Sequence, residues 1–321
     1  MTALIVAERL DKGDLKPDTR LPVSEKAWRL GAQSDGSHMF LELNSQVRVD
    51  DLLTGVVVVS ANDACVTLAE GISGSEEAFV AEMNRRAREL GLETAQFRNA
   101  SGLPDPEHVI SALDLAKLAQ FIIKTQPDLY ELYAKPDFTF NNRTQQNRNP
   151  LLGAFEGADG VKTGHTSASG YGLVGSAIRD GARRIVVFNG MESQAARSRE
   201  AQRLMRAAFL EFDARQLYSA GERVGEAQVW LGGSPTVPLV AVEPIAVGYH
   251  SSLQGRLTAE IVYQGPVAAP IKAGDQIAEL MVSGPGFAPQ RFPLAAGRDL
   301  GRMNVLGRAV AGARSLMGGG S

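Results

Sequence analysis

Apolar positions recur at helical spacing in several stretches of the chain. Val80, Met83, Ala87 and Leu90 follow one another at steps of 3, 4 and 3, and Gly91 stops them. Just upstream, Ser73-Gly-Ser-Glu76 has the serine-to-glutamate spacing of a capping box, so an amphipathic helix is expected here. Ser111-Ala-Leu-Asp114 repeats that signal ahead of Leu115, Leu118, Ala119 and Ile122, and Gln126-Pro127 ends the stripe. A further helix is expected from near Ser198 to Phe212, burying Leu204, Met205, Ala208 and Phe209. Ala3 to Leu10 reads as another apolar helical segment, closed by Asp11-Lys-Gly13.

Between the second and third of these helices the pattern changes. Gly160 to Thr166, Tyr171 to Ile178 and Arg184 to Asn189 are rich in β-branched residues and separated by turn residues, which predicts three consecutive antiparallel strands. Helices packed on such a sheet make an α+β domain. Val56-Val-Val-Val59 is ambiguous: its propensity is that of a strand, whereas Asp50-Asp51 just before it favour a helix N-terminus.

Beyond Tyr218 the texture becomes short β segments, Ala227 to Leu231, Val237 to Val247, Leu257 to Tyr263 and Gln276 to Val282, punctuated by Gly and Pro. A small all-β sandwich is the expected packing. The chain is therefore divided into an α+β domain over 1–214, a β-sandwich over 215–297 and a tail over 298–321. In the tail, Met303, Val305, Leu306, Val310, Leu316 and Met317 mix with Arg302, Arg308 and Arg314. That pattern suits a basic amphipathic helix at a membrane surface, and equally a frayed end, since Gly307 and Gly312 break the stripe.

Composition narrows the function. Of 321 residues, 44% are hydrophobic and 21% charged, and 33 Lys+Arg against 36 Asp+Glu leave a net charge of -3, which lacks the basic footprint of a nucleic-acid binder. Cys65 is the single cysteine, so no intrachain disulfide or cysteine-based zinc site is expected. His38, His108, His165 and His250 are scattered, and neither metal nor cofactor is expected. No apolar run reaches the roughly 18 to 20 residues of a membrane span, and Ala3 to Ala7 lacks the features of an export signal.

The sequence has no Gly-x-Ser-x-Gly, no Gly-x-x-x-x-Gly-Lys and no His-Glu-x-x-His. Two short motifs remain, Ser60-Ala61-Asn62 after the valine run and Lys162-Thr163-Gly164 on the first predicted strand. Taken singly, Ser60 also reads as a capping serine and Lys162 as a solvated strand lysine. Together, in this order and context, they match two signatures of the penicillin-recognising serine acyltransferases. Val58-Val-Ser-Ala-Asn-Asp-Ala64, Asp159-Gly-Val-Lys-Thr-Gly-His-Thr166 and Gly170-Tyr-Gly-Leu-Val174 resemble the D-alanyl-D-alanine carboxypeptidases, the low-molecular-mass penicillin-binding proteins. Val23-Ser-Glu-Lys-Ala-Trp28 and Ser37-His-Met-Phe40 are similar to the segment after that family's nucleophile helix. The resemblance implies a transpeptidase-like domain followed by a C-terminal sandwich.

It also implies acyl transfer: a serine attacks the bond between two D-alanines at the end of a peptidoglycan stem peptide, and water hydrolyses the resulting ester. Ser60 would relay a proton, Asn62 would orient the substrate amide and Lys162 would hold Ser60. Thr163 would bind the substrate carboxylate beside Gly164, and the His165 backbone N–H would supply half of an oxyanion hole. A family arginine that pairs with the carboxylate matches Arg199 best, with Arg197 as its neighbour; as a plain residue, Arg199 is a helix-face charge.

The family's Ser-x-x-Lys is absent, since no lysine here has a serine three positions before it. In the family that motif precedes Met-Thr, so the nucleophile is expected upstream of Met1-Thr2 and the chain as given is expected to be truncated and inactive. The full-length enzyme is expected to be periplasmic, associated with the inner membrane and sensitive to β-lactams. The competing reading is a non-catalytic peptidoglycan-binding or scaffolding protein. A class A β-lactamase is disfavoured by the β-rich second domain.

Overall fold

The computed structural model describes residues 1–33 and 36–303 of the chain. They form two compact units that divide between Ala208 and Phe209.

The first unit runs α1 (Thr2–Asp11), β1 (Arg20–Pro22), α2 (Glu25–Gln33), β2 (Gln46–Arg48), α3 (Val49–Thr54), α4 (Asn62–Ser73), α5 (Glu76–Glu89), α6 (Ala112–Thr125), α7 (Pro127–Tyr133), β3 (Asp137–Phe140), β4 (Arg143–Gln146), β5 (Ala158–Thr166), β6 (Gly170–Arg179), β7 (Ala182–Met191) and α8 (Gln194–Leu210). The strands β5, β6 and β7 form the expected antiparallel sheet, with Lys162 opposite Val174 and Thr163 opposite Leu173. α6 packs on β7 and α7 on β5. The hairpin β3–β4, which the pattern analysis passed over, turns at Asn141 and Asn142, both at positive φ, the conformation that asparagine tolerates best after glycine.

The valine run resolves against its propensity. Asp50 and Asp51 occupy the first turn of α3, and Gly55–Val59 continues it as a π-helical turn with all five residues buried. Burial on every side removes the alternating polar face that a half-buried strand needs. The helical turn ends at Ser60, which takes the left-handed conformation at φ 63.

Two helix limits also move. Ser73 closes α4, with Gly74 left-handed behind it, and the cap of α5 is Ser75, whose hydroxyl accepts the Ala78 N–H. Glu76 instead accepts the Ala100 N–H at 2.9 Å and pairs with Lys26. α8 begins at Gln194 and ends at Leu210, so Phe212 opens a strand. Ser111 caps α6 as expected.

The second unit contains β8 (Phe212–Tyr218), β9 (Arg223–Trp230), β10 (Thr236–Ala241), β11 (Ile245–His250), β12 (Thr258–Val262), β13 (Val267–Ala268), β14 (Gln276–Gly284) and β15 (Phe287–Ala296). The order β12-β14-β15-β10-β9-β13 makes one sheet, and β11 pairs with β8. Alternate residues of β10 point inward, so Val237, Leu239 and Ala241 meet Leu280 and Leu294 in an apolar core. Leu300 is buried against it and bridges to Ile271. The rest of the expected tail, 304–321, lies outside the described residues. No helix among the described residues is long and apolar enough to cross a membrane.

Candidate active site

Ser60 and Lys162 are 102 residues apart in sequence, yet the Lys162 Nζ donates to Ser60 Oγ at 2.8 Å and lies 3.4 Å from the Thr163 carbonyl. Each arrives from a rigid element: Ser60 from the junction between the π-helical turn and α4, Lys162 from the middle of β5. A left-handed serine is uncommon, and here it follows five residues that are all buried. Asn149 anchors the start of β5 by donating its side-chain amide to the Gly160 carbonyl at 2.8 Å.

Lys162 as a whole is half-buried, but its amine end lies deep among protein atoms. Burial lowers its pKa from 10.5 to about 8, and the positive charges of Arg148 and Arg197 act in the same direction. Cys65, on α4 and lining the same cavity, is pushed up to about 12 by burial and stays a neutral thiol. The cavity, about 190 Å³, is lined by Thr2, Ser60, Cys65, Asn99, His108 and Lys162 among others.

Asn62 lies in the first turn of α4, 8% exposed, with no side-chain hydrogen bond among the described residues, and its backbone N–H donates to the Ser37 carbonyl at 2.8 Å. The next residue, Asp63, fastens the segment from Ser37 to Leu41 against the site. Its fully buried carboxylate accepts the backbone N–H groups of Met39 at 3.1 Å, Leu41 at 3.2 Å and Ala64 at 2.9 Å. Burial raises its pKa while these hydrogen bonds pull against that rise. Ser37 at the head of the segment accepts a hydrogen bond from Arg148.

On β5, Thr163 is half-buried, while Gly164 and His165 are exposed. A side chain added at Gly164 would meet nothing within 4 Å, so this stretch of strand is open to a ligand. The His165 ring stacks on Tyr171 at 3.9 Å, and the guanidinium of Arg197 lies 5.6 Å from the same Tyr171 ring.

The arginines separate clearly. Arg199 is exposed on α8. Arg197 is 5% exposed, donates to the Arg148 carbonyl at 3.3 Å, and has its buried Nε without a partner among the described residues. The geometry therefore brings Arg197, not Arg199, towards Lys162. A signal for this exists in the sequence: Arg197, Ala201 and Met205 fall at i, i+4 and i+8 and are the buried residues of α8. Arg148 and Asp63 were not singled out by the sequence, since each takes its place from a loop or helix end whose partner is remote in the chain.

The site thus sets a hydrogen-bonded serine and lysine within the field of two arginines, Arg148 and Arg197. Comparison with known proteins gives the family. A family profile described as D-alanyl-D-alanine carboxypeptidase matches residues 1–192, and one described as the C-terminal domain of penicillin-binding protein 5 matches residues 212–302. A relative from Haemophilus influenzae, named D-alanyl-D-alanine carboxypeptidase DacA, is 34% identical over 96% of this chain and 79% of its own. The solved structure of penicillin binding protein 5 from Haemophilus influenzae superposes with a TM-score of 0.84 at 35% identity, covering 94% of this chain and 88% of that one. Penicillin-binding protein D2 from Listeria monocytogenes, solved in an ampicillin-bound form, gives a TM-score of 0.57 at 31% identity over 65% of this chain and 83% of its own. With the profile spanning more than half of its residues and the transpeptidase-like and β folds both matched, the chain belongs to the D-alanyl-D-alanine carboxypeptidase family of serine peptidases.

Proposed function

We propose that residues 1–321 recognise peptidoglycan stem peptides ending in D-Ala-D-Ala, at the cell-wall side of the membrane, and that the lineage's reaction is removal of the terminal D-alanine through an acyl-enzyme. The observation that carries this reading is the 2.8 Å contact between Lys162 and Ser60, with the positive charges of Arg148 and Arg197 acting on the same amine. A ligand carboxylate would meet these charges, with Thr163 and Arg197 as its partners and Arg148 behind them. Asn62, whose side-chain amide is uncommitted, would meet the peptide amide, and the open strand at Gly164 and His165 would pair with the peptide backbone. Ser60 would carry a proton to the departing amine under the hold of Lys162. β-Lactams, which carry an equivalent carboxylate beside an acyl group, are expected in the same cleft.

None of the 321 residues forms Ser-x-x-Lys, so this chain alone is expected to bind such peptides reversibly without completing the family's reaction. Calorimetry with an acylated Lys-D-Ala-D-Ala peptide tests this. Binding should be selective over the L-Ala-L-Ala peptide, fall about 10- to 100-fold in Arg197→Gln through loss of a charge-assisted pair, and stay unchanged in Arg199→Gln. Equal affinity for both peptides, or sensitivity to Arg199 alone, would sink the reading.

A further inference from the structure

We propose that Ser60 and Lys162 form a serine–lysine dyad in which Ser60 is itself a slow nucleophile towards small activated esters, an activity beyond its role as a proton relay. Three observations converge. The hydroxyl and amine are already at hydrogen-bond distance, 2.8 Å. Ser60 sits on a strained left-handed turn where a π-helical stretch meets α4, the kind of sharp junction that lifts a serine hydroxyl out of its own backbone. Both side chains line a cavity of about 190 Å³, room for a small acyl group.

The electrostatics supply the base. The positive charges of Arg148, from the loop before β5, and of Arg197, from α8, act on Lys162, and Cys65 of α4 lines the same cavity. Burial and the two guanidinium groups favour the neutral amine, so a sizeable fraction of Lys162 is deprotonated in mildly alkaline solution. The step balances without any co-reactant. Ser60 Oγ forms a bond to the acyl carbon as its proton passes to Lys162 Nζ. The ester's acyl–oxygen bond breaks and the leaving oxygen departs with the electron pair, either taking the proton from Lys162 or, as p-nitrophenolate, leaving Lys162 to release it to solvent. The neutral amine then takes a proton from water, the hydroxide adds to the acyl carbon, the acyl–Oγ bond breaks, and Ser60 takes its proton back from Lys162 as the acid is released.

The test uses the 321-residue chain and p-nitrophenyl acetate, followed by intact mass, peptide mapping and hydroxylamine treatment. The expected result is a single hydroxylamine-labile acetyl on Ser60. Its rate of formation should climb as Lys162 loses its proton near pH 8 and then level off. Lys162→Met should slow acetylation at least about 100-fold, the usual contribution of a positioned base, and Ser60→Gly, which suits the left-handed turn, should abolish it. Acetyl found as a stable amide on Lys162 or Met1, acetyl on His108 or another serine, no labelling, or a rate that follows hydroxide without a plateau would each overturn the dyad. Adding the D-Ala-D-Ala peptide separates this from the functional reading. Ser60 acetylation that the peptide neither slows nor senses leaves the dyad standing and defeats the peptide site, whereas peptide binding without Ser60 acetylation does the opposite.

Discussion

The two units bury different kinds of side chain. The interior of the first encloses Asn62, Asp63, Asp114, Asn149, Ser176 and Arg197 among its apolar residues, whereas every residue in the buried cluster of the second is aliphatic. A buried polar group is costly unless it is paired, and it is directional once paired. The buried polar groups of the first unit therefore hold named atoms in named places, whereas the described core of the second rests on apolar burial.

Breaking each interior separately sharpens this contrast. The largest effect is expected from Leu294→Ala in the second unit, where a fully buried side chain leaves a cavity costing about 3 to 5 kcal/mol. Denaturant titration should register that loss while affinity for the D-Ala-D-Ala peptide is unchanged; a matching fall in affinity would mean that the apolar unit shapes the site.

Next in size is a pH effect at Lys162. Its folded pKa of about 8 lies below the 10.5 of the unfolded chain, so below pH 8 both states carry the proton and the folded state bears the full cost of the buried charge. Between about 8 and 10.5 the folded state releases its proton first, and wild type should gain stability relative to Lys162→Met by on the order of 3 kcal/mol. Unfolding curves of the two proteins across that range test the sign; a difference that stays flat would place the amine in solvent.

Asp63→Ala should cost somewhat less, about 2 kcal/mol, through the Met39 and Leu41 N–H groups it leaves unpaired in the interior. Hydrogen exchange at those two amides should accelerate and peptide affinity should drop with it, because the segment behind Ser37 is released. The smallest effect is expected at the surface of the second unit. Arg291→Gln removes the Glu279 pair, both partners well exposed, and should change stability by less than about 1 kcal/mol.

Much of this molecule is legible in one dimension. The helices at 76–89 and 112–125, the three strands of the central sheet and the change of texture near 210 all follow from periodicity and turn residues. The spacing of Ser60-Ala-Asn62 and Lys162-Thr-Gly164 carried the family. Arg197 and Arg199 show where such reading stops. Two positions on a helix point to nearly opposite sides, and motif spacing alone does not say which side is inward, although the stripe through Ala201 and Met205 does.

What the chain determined by itself was the set of elements, the division into an α+β and a β region, and the residue types brought to the site, because these depend on neighbours a few positions away. Tertiary structure decided the rest. It made the valine run helical by burying all of it, turned Asp63 into the anchor of a loop more than twenty residues distant, and lowered the proton affinity of Lys162. Burial and electrostatic fields are set by groups remote in sequence and close in space, and only the folded chain assembles them.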